Sequence, residues 1–112
     1  MIPMANRLRG EVDITLGGRS YRLRPTFAAI MDIEERLGAV VPLAVRAAKG
    51  DFGFRDVTVV IWATLNAVEG QSMTMDEVGN AVLAQGLAAA TPAVRVLLTH
   101  ILGGDEAADG LA

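Results

Sequence analysis

A chain of 112 residues that is 52% apolar but only 4% aromatic is long enough for one buried core and too short to divide comfortably into two. That core must come mainly from Val, Leu, Ile, Ala and Met, which favours packed helices over a sandwich. Having no cysteine excludes disulfides, thiolate metal sites and cysteine nucleophiles, and makes a reducing, cytoplasmic address the default expectation. The net charge of −3 is unevenly spread: residues 1–24 hold Arg7, Arg9, Arg19, Arg22 and Arg24 against Glu11 and Asp13, while Asp105, Glu106 and Asp109 make the far end acidic.

In chain order, the opening around Pro3, Asn6, Arg7 and Arg9 lacks the apolar run of a secretory signal. Residues 11–16 and 19–24 then alternate polar and apolar with period two across Gly17 and Gly18, which predicts a β-hairpin over 11–24. A two-residue turn fixes the register. Leu16 falls opposite Arg19, Thr15 opposite Ser20, Ile14 opposite Tyr21, Asp13 opposite Arg22, Val12 opposite Leu23 and Glu11 opposite Arg24. One face collects Val12, Ile14, Tyr21 and Leu23; the other aligns two opposite-charge pairs.

Thr26 is placed to cap a helix over 27–37 that Gly38 ends, with Phe27, Ile30, Ile33 and Leu37 as the stripe expected to cover the hairpin. Pro42 opens a short helix over 42–49, stopped by Gly50. The most apolar segment predicts a central helix over 56–69 with its main stripe at Val57, Ile61, Leu65 and Val68. It falls short of the roughly 20 apolar residues a bilayer crossing needs. Thr74 and Glu77 form a T-x-x-E capping box for a helix over 75–85 that Gly86 closes. Thr91 and Pro92 repeat the cap-then-proline signal, and Val94, Leu97, Leu98 and Ile101 give a helix over 92–102. Beyond Gly104, residues 105–112 are small and acidic and read as a disordered tail. The expected fold is α+β: a single domain over 1–104, with an N-terminal two-stranded β-hairpin packed on a small bundle of four to five helices.

The chemistry expected of such a chain is sparse. His100, the sole histidine, lies off the last helix's apolar stripe and lacks the base-and-orienter company catalysis needs, so it reads as a surface side chain. Asp32, Glu34 and Glu35 point in different directions around a helix and read as a solvated face rather than a metal site. The Gly17-Gly18 and Gly103-Gly104 pairs lack phosphate-loop spacing. Neither catalysis nor a cofactor, metal, membrane or small-molecule substrate is expected. Nucleic-acid binding is disfavoured: the last helix offers only Arg95, Thr99 and His100 to base edges, and its predicted connection of about six residues exceeds the 3–4 of a helix-turn-helix. Arg7, Arg9 and Arg19 nevertheless stay unpaired in the hairpin register. Trp62, with Val59, projects away from Ile61 and Leu65 on the central helix, and is either core of a helix wrapped on both sides or an anchor for a protein partner. The candidate partner-contact residues are therefore Trp62, Val59, Arg7 and Arg9.

Residues 5–38 resemble the gene-transfer-agent and phage tail assembly family, whose members are described either as tail assembly chaperones or as tail tube proteins. The likeness rests on an opening at Asn6, Arg7, Arg9, Gly10, Glu11 and Val12 that is one spacer shorter than the family's, on L-R-P-T-F at Leu23 to Phe27, and on I-E-x-x-L-G at Ile33, Glu34, Leu37 and Gly38. A shorter R-D-V at Arg55 to Val57 adds to it. The resemblance implies a non-enzymatic protein of a gene transfer agent or prophage that acts in virion tail morphogenesis. As a chaperone it would bind the tail tape-measure protein, or the tail tube protein, by protein–protein interaction; as a structural component it would join the tail itself. A small DNA-binding regulator is the third reading. Self-association into a homo-oligomer is compatible with all three.

Overall fold

The computed structural model describes residues 9–110, with side chains over 9–103. Arg7 therefore lies outside the described residues, as do the side chains of the acidic end. Among the described residues the order is β1 (Val12–Leu16), β2 (Arg19–Leu23), α1 (Phe27–Leu37), α2 (Val40–Ala48), α3 (Phe54–Leu65), α4 (Met75–Gln85) and α5 (Leu87–Gly110). The fold is α+β.

The hairpin has the register its turn dictates, Val12 opposite Leu23 through Leu16 opposite Arg19. Gly17 and Gly18 have φ of 59° and 80°, the left-handed backbone that a tight hairpin turn requires and that glycine adopts without strain. Ile14, Leu16 and Leu23 are buried on the inner face. The outer face differs from expectation at Glu11, which is buried rather than a surface partner. Its carboxylate accepts from Arg24 Nε at 2.5 Å and lies 3.6 Å from Arg22 Nε, which also lies 3.8 Å from Asp13. One buried carboxylate thus gathers two half-exposed guanidiniums across the strands.

Helix α1 starts as the sequence predicts, with the Thr26 hydroxyl accepting from Ala29 N–H at 3.1 Å, and ends at Gly38, φ 85°. Its buried face follows the predicted stripe at Ile33 and in part at Leu37, but not at Phe27. Ala29 and Ile33 are buried, whereas Phe27 is 79% exposed. The reason is the partner: α1 packs on α3 rather than on the hairpin, and a small residue at the contact lets the two backbones approach. The hairpin is covered instead by α3, α4 and α5.

Helix α2 starts at Val40, two residues before Pro42, because Glu34 of α1 accepts from Val40 N–H at 2.9 Å and caps it. That is a structural task for a carboxylate the sequence assigns to a solvated face. Helix α3 is shifted earlier than the predicted 56–69. Asp56 accepts from Gly53 N–H at 2.8 Å at its start, and the Asn66 side-chain amide donates to Trp62 O and Met73 O at its end, so Val68 falls in the following turn. Eight of its twelve residues are buried, so α3 is wrapped on nearly every side. Helix α4 has the predicted bounds and the reciprocal Thr74–Glu77 capping box.

The last helix departs most from expectation. It begins at Leu87, directly after Gly86, and its backbone is helical to Gly110, against the predicted 92–102. Pro92 sits inside it and Thr91 is no cap: its hydroxyl donates to Leu87 O at 2.8 Å. Gly86, φ 94°, both closes α4 and turns the chain, and the alanines that follow are strong enough helix formers to extend the helix upstream of the proline. One contiguous core runs through all seven elements, from Ile14 and Leu23 through Ile33, Leu43, Ile61 and Val82 to Leu97.

Candidate interaction surface

Residues Arg55, Thr58, Val59 and Trp62 follow one another at helical spacing and form the outer stripe of α3. Val59 is only 4% exposed, yet stands apart from the contiguous core. It is the floor of an open groove of about 560 Å³ that is also lined by Arg36, Phe54, Arg55, Thr58 and Met75. The wall is apolar apart from the two guanidiniums and the Thr58 hydroxyl, which is buried without a hydrogen-bond partner among the described residues. Phe54 is 38% exposed at the rim. Arg55 donates to Arg36 O at 3.4 Å, which ties the start of α3 to the end of α1 beside the groove.

Trp62 lies beyond the groove in the seam between α3 and α1. It is half-buried, packs against the core, and borders a small recess with Thr26, Ala28, Ala29 and Asp32. The Arg36 guanidinium stacks over its ring 4.6 Å from the centroid, a cation–π contact that also aims the arginine. Arg36 therefore links the two candidates on α3: it covers Trp62 and rims the cleft floored by Val59. Arg9 is exposed, has no ion pair among the described residues, and does not line the groove at Val59.

Arg36, Arg55 and Met75 are the groove residues that the sequence did not assign to a site, whereas Phe54, like Trp62, reads from the sequence as either core or partner anchor. Arg55 carried a legible signal, being on the same helical stripe as Val59 and Trp62. Arg36 and Met75 come from other elements and carried none. The remaining chemistry-bearing residues serve the fold. His100 is half-buried rather than on the surface, and its Nδ1–H donates to Gly10 O at 2.9 Å. Arg95 donates from Nε to Ala47 O at 3.1 Å. Arg46 reaches Asp56 at 3.2 Å, and that hydrogen bond, followed by the charge of Asp56, raises its pKa above the ordinary arginine value. Among the described residues no group of three His, Cys, Asp or Glu gathers, and no single helix is long and apolar enough to cross a membrane. Helices α4 and α5 meet at 119° across Gly86 alone, so the long connection predicted between them is absent. One residue is nevertheless shorter than a helix-turn-helix turn, and Arg95 and His100 are engaged with the domain's own backbone.

The fold and the groove define a small α+β protein that carries an open apolar cleft lined by two arginines. Residues 9–104 match the model of the family described as "Phage tail tube protein, GTA-gp10", and the chain belongs to that family. It is a tail-related protein of the phage and gene-transfer-agent kind. Comparison with curated proteins and with solved structures gives no match.

Proposed function

We propose that the protein is a tail assembly chaperone, which holds an amphipathic segment of another tail protein, the tape-measure protein first among them, until the tail is built. The observation that carries this reading is the groove at Val59. An apolar trough with two arginines among its lining residues suits a helix that presents apolar residues to the floor and acidic residues to the rim. Tape-measure segments are the occupant that the family resemblance implies. The task involves no catalysis.

A structural tail tube subunit is the second reading, favoured by the family's own description. Co-expression separates the two. A chaperone co-purifies with tape-measure segments and is absent from finished particles. Phe54→Glu, placed on the exposed rim, should abolish co-purification while leaving the thermal melt close to wild type. Trp62→Ala should lower stability, by up to the ~3–5 kcal/mol of a buried aromatic, because the ring is half inside the α1–α3 seam. Failure of the wild-type chain to co-purify, together with its presence in particles, would replace the chaperone reading with the structural one.

A further inference from the structure

The two edges of the hairpin are treated differently. On β2, the Gln71 side chain behaves like one residue of a neighbouring strand: its oxygen accepts from Arg22 N–H and its amide donates to Arg22 O, both at 2.7 Å. That edge is closed at Arg22. The same bonds establish that the Arg22 backbone groups point away from β1. In an antiparallel pair, facing residues share this orientation, so the N–H and C=O of Asp13, opposite Arg22, point away from β2, and those of Thr15, two residues on, do likewise. Among the described residues the one cap along β1 is Gln85, whose amide donates to Thr15 O at 3.1 Å. Among the described residues the N–H and C=O of Asp13 and the N–H of Thr15 meet no backbone or side-chain partner. Beside them runs an open groove of about 590 Å³ whose far wall is Ala89, Pro92, Ala93 and Val96 of α5. Small side chains there leave the edge accessible, and Val96 is 48% exposed. Proteins normally blunt such an edge.

We propose that the β1 edge pairs with the β1 edge of a second copy of this chain, antiparallel about a two-fold axis at Ile14, to give a four-stranded sheet. The register follows from parity and charge. Outward groups occur at Asp13 and Thr15, so two β1 edges can exchange bonds when Asp13 of one faces Thr15 of the other, which happens twice when the axis passes through Ile14. Centring on Asp13 would oppose two carboxylates, and centring on Thr15 would run Asp13 against Gly17 at the turn of the other copy. Only the Ile14 axis matches each N–H to a C=O without opposing like charges. Thr15 O keeps a second lone pair for the bond although Gln85 uses one. This surface shares no lining residue with the groove at Val59, so it stands independently of the chaperone reading.

Sedimentation velocity and amide exchange test the proposal on the whole chain. The wild type is expected to show a concentration-dependent dimer, with exchange at the Asp13 and Thr15 amides slowing as the dimer forms. Thr15→Pro removes an outward N–H without touching the ladder to β2, and proline is tolerated at such edge positions, so this variant should be monomeric with an unchanged melt. Thr15 is exposed and faces neutral Ser20 within the hairpin, so charge can be introduced there should the proline variant not fold. Thr15→Lys places two cations opposite Asp13 across the axis and should tighten the dimer; Thr15→Glu should weaken it, each on the order of tenfold. A wild type that stays monomeric overturns the proposal, as does a dimer indifferent to all three substitutions. Protection of Asp13 and Thr15 that appears only when another tail protein is added assigns the edge to a foreign strand, and overturns it equally.

Discussion

Gln71 lies in a turn after α3, far in sequence from the hairpin it closes. In addition to its two bonds with Arg22 it donates to Leu65 O at 2.8 Å, so one side chain joins β2, the end of α3 and the turn between α3 and α4. Replacing it with alanine removes those three part-buried hydrogen bonds. At ~0.5–1.5 kcal/mol each they are worth about 3 kcal/mol, offset by roughly 1 kcal/mol of side-chain freedom regained. The expected net loss is about 2 kcal/mol, a fall in melting temperature on the order of 10 °C for a domain of this size. Chemical denaturation should report the same loss as a lower midpoint at unchanged slope. Gln71→Glu sharpens the test: a carboxylate still accepts from Arg22 N–H but opposes the two carbonyls to which the amide donated, so it should cost at least as much as alanine. Exchange of the Arg22 amide should speed up in the alanine variant, which removes its acceptor. A Gln71→Ala protein within 0.5 kcal/mol of wild type would refute the reasoning, since it would mean that water closes the edge as well as the side chain does.

The hairpin turn is expected to be intolerant of side chains: a Cβ at Gly17 or Gly18 meets nothing within 4 Å, so the cost of Gly17→Val with Gly18→Val is mainly the left-handed backbone, upwards of ~1–2 kcal/mol per residue, read by thermal melts. A double variant as stable as wild type would show that the turn can rearrange. Thr58→Val should go the other way. Its buried hydroxyl has no partner among the described residues, so an isosteric methyl should leave stability unchanged or raise it by about 1 kcal/mol, and a clear loss would point to an unseen hydrogen bond.

Local signals determined the order and type of the elements, though not every helix bound: the Thr91–Pro92 signal lies inside α5, which starts at Leu87. The Gly17-Gly18 turn and period-two alternation sufficed for the hairpin and its register, and Thr26, Gly38, Thr74 and Gly86 marked helix ends, because each acts on backbone groups within a few residues of itself. The sequence also carried the family, through motifs that cluster between Asn6 and Gly38, and it marked Val59 and Trp62 as lying off the main core stripe. What it did not determine was how those elements face one another. Phe27 reads as core by its spacing, but is exposed because α1 packs on α3 through Ala29 and Ile33 instead of covering the hairpin. Glu11 reads as a surface charge, but the tertiary structure buries it where Arg22 and Arg24 converge. Glu34 becomes the cap of the next helix and Gln71 the closure of a sheet edge, roles fixed by chain segments brought close only on folding. The groove at Val59 is of the same kind: Arg36, Phe54 and Met75 reach it from three different stretches of chain. Periodicity ranks positions on a single helix by how apolar they are. Which apolar face is buried, and which cleft is left between helices, depends on the volumes and angles of contacts between segments distant in sequence, and those exist only in the packed molecule.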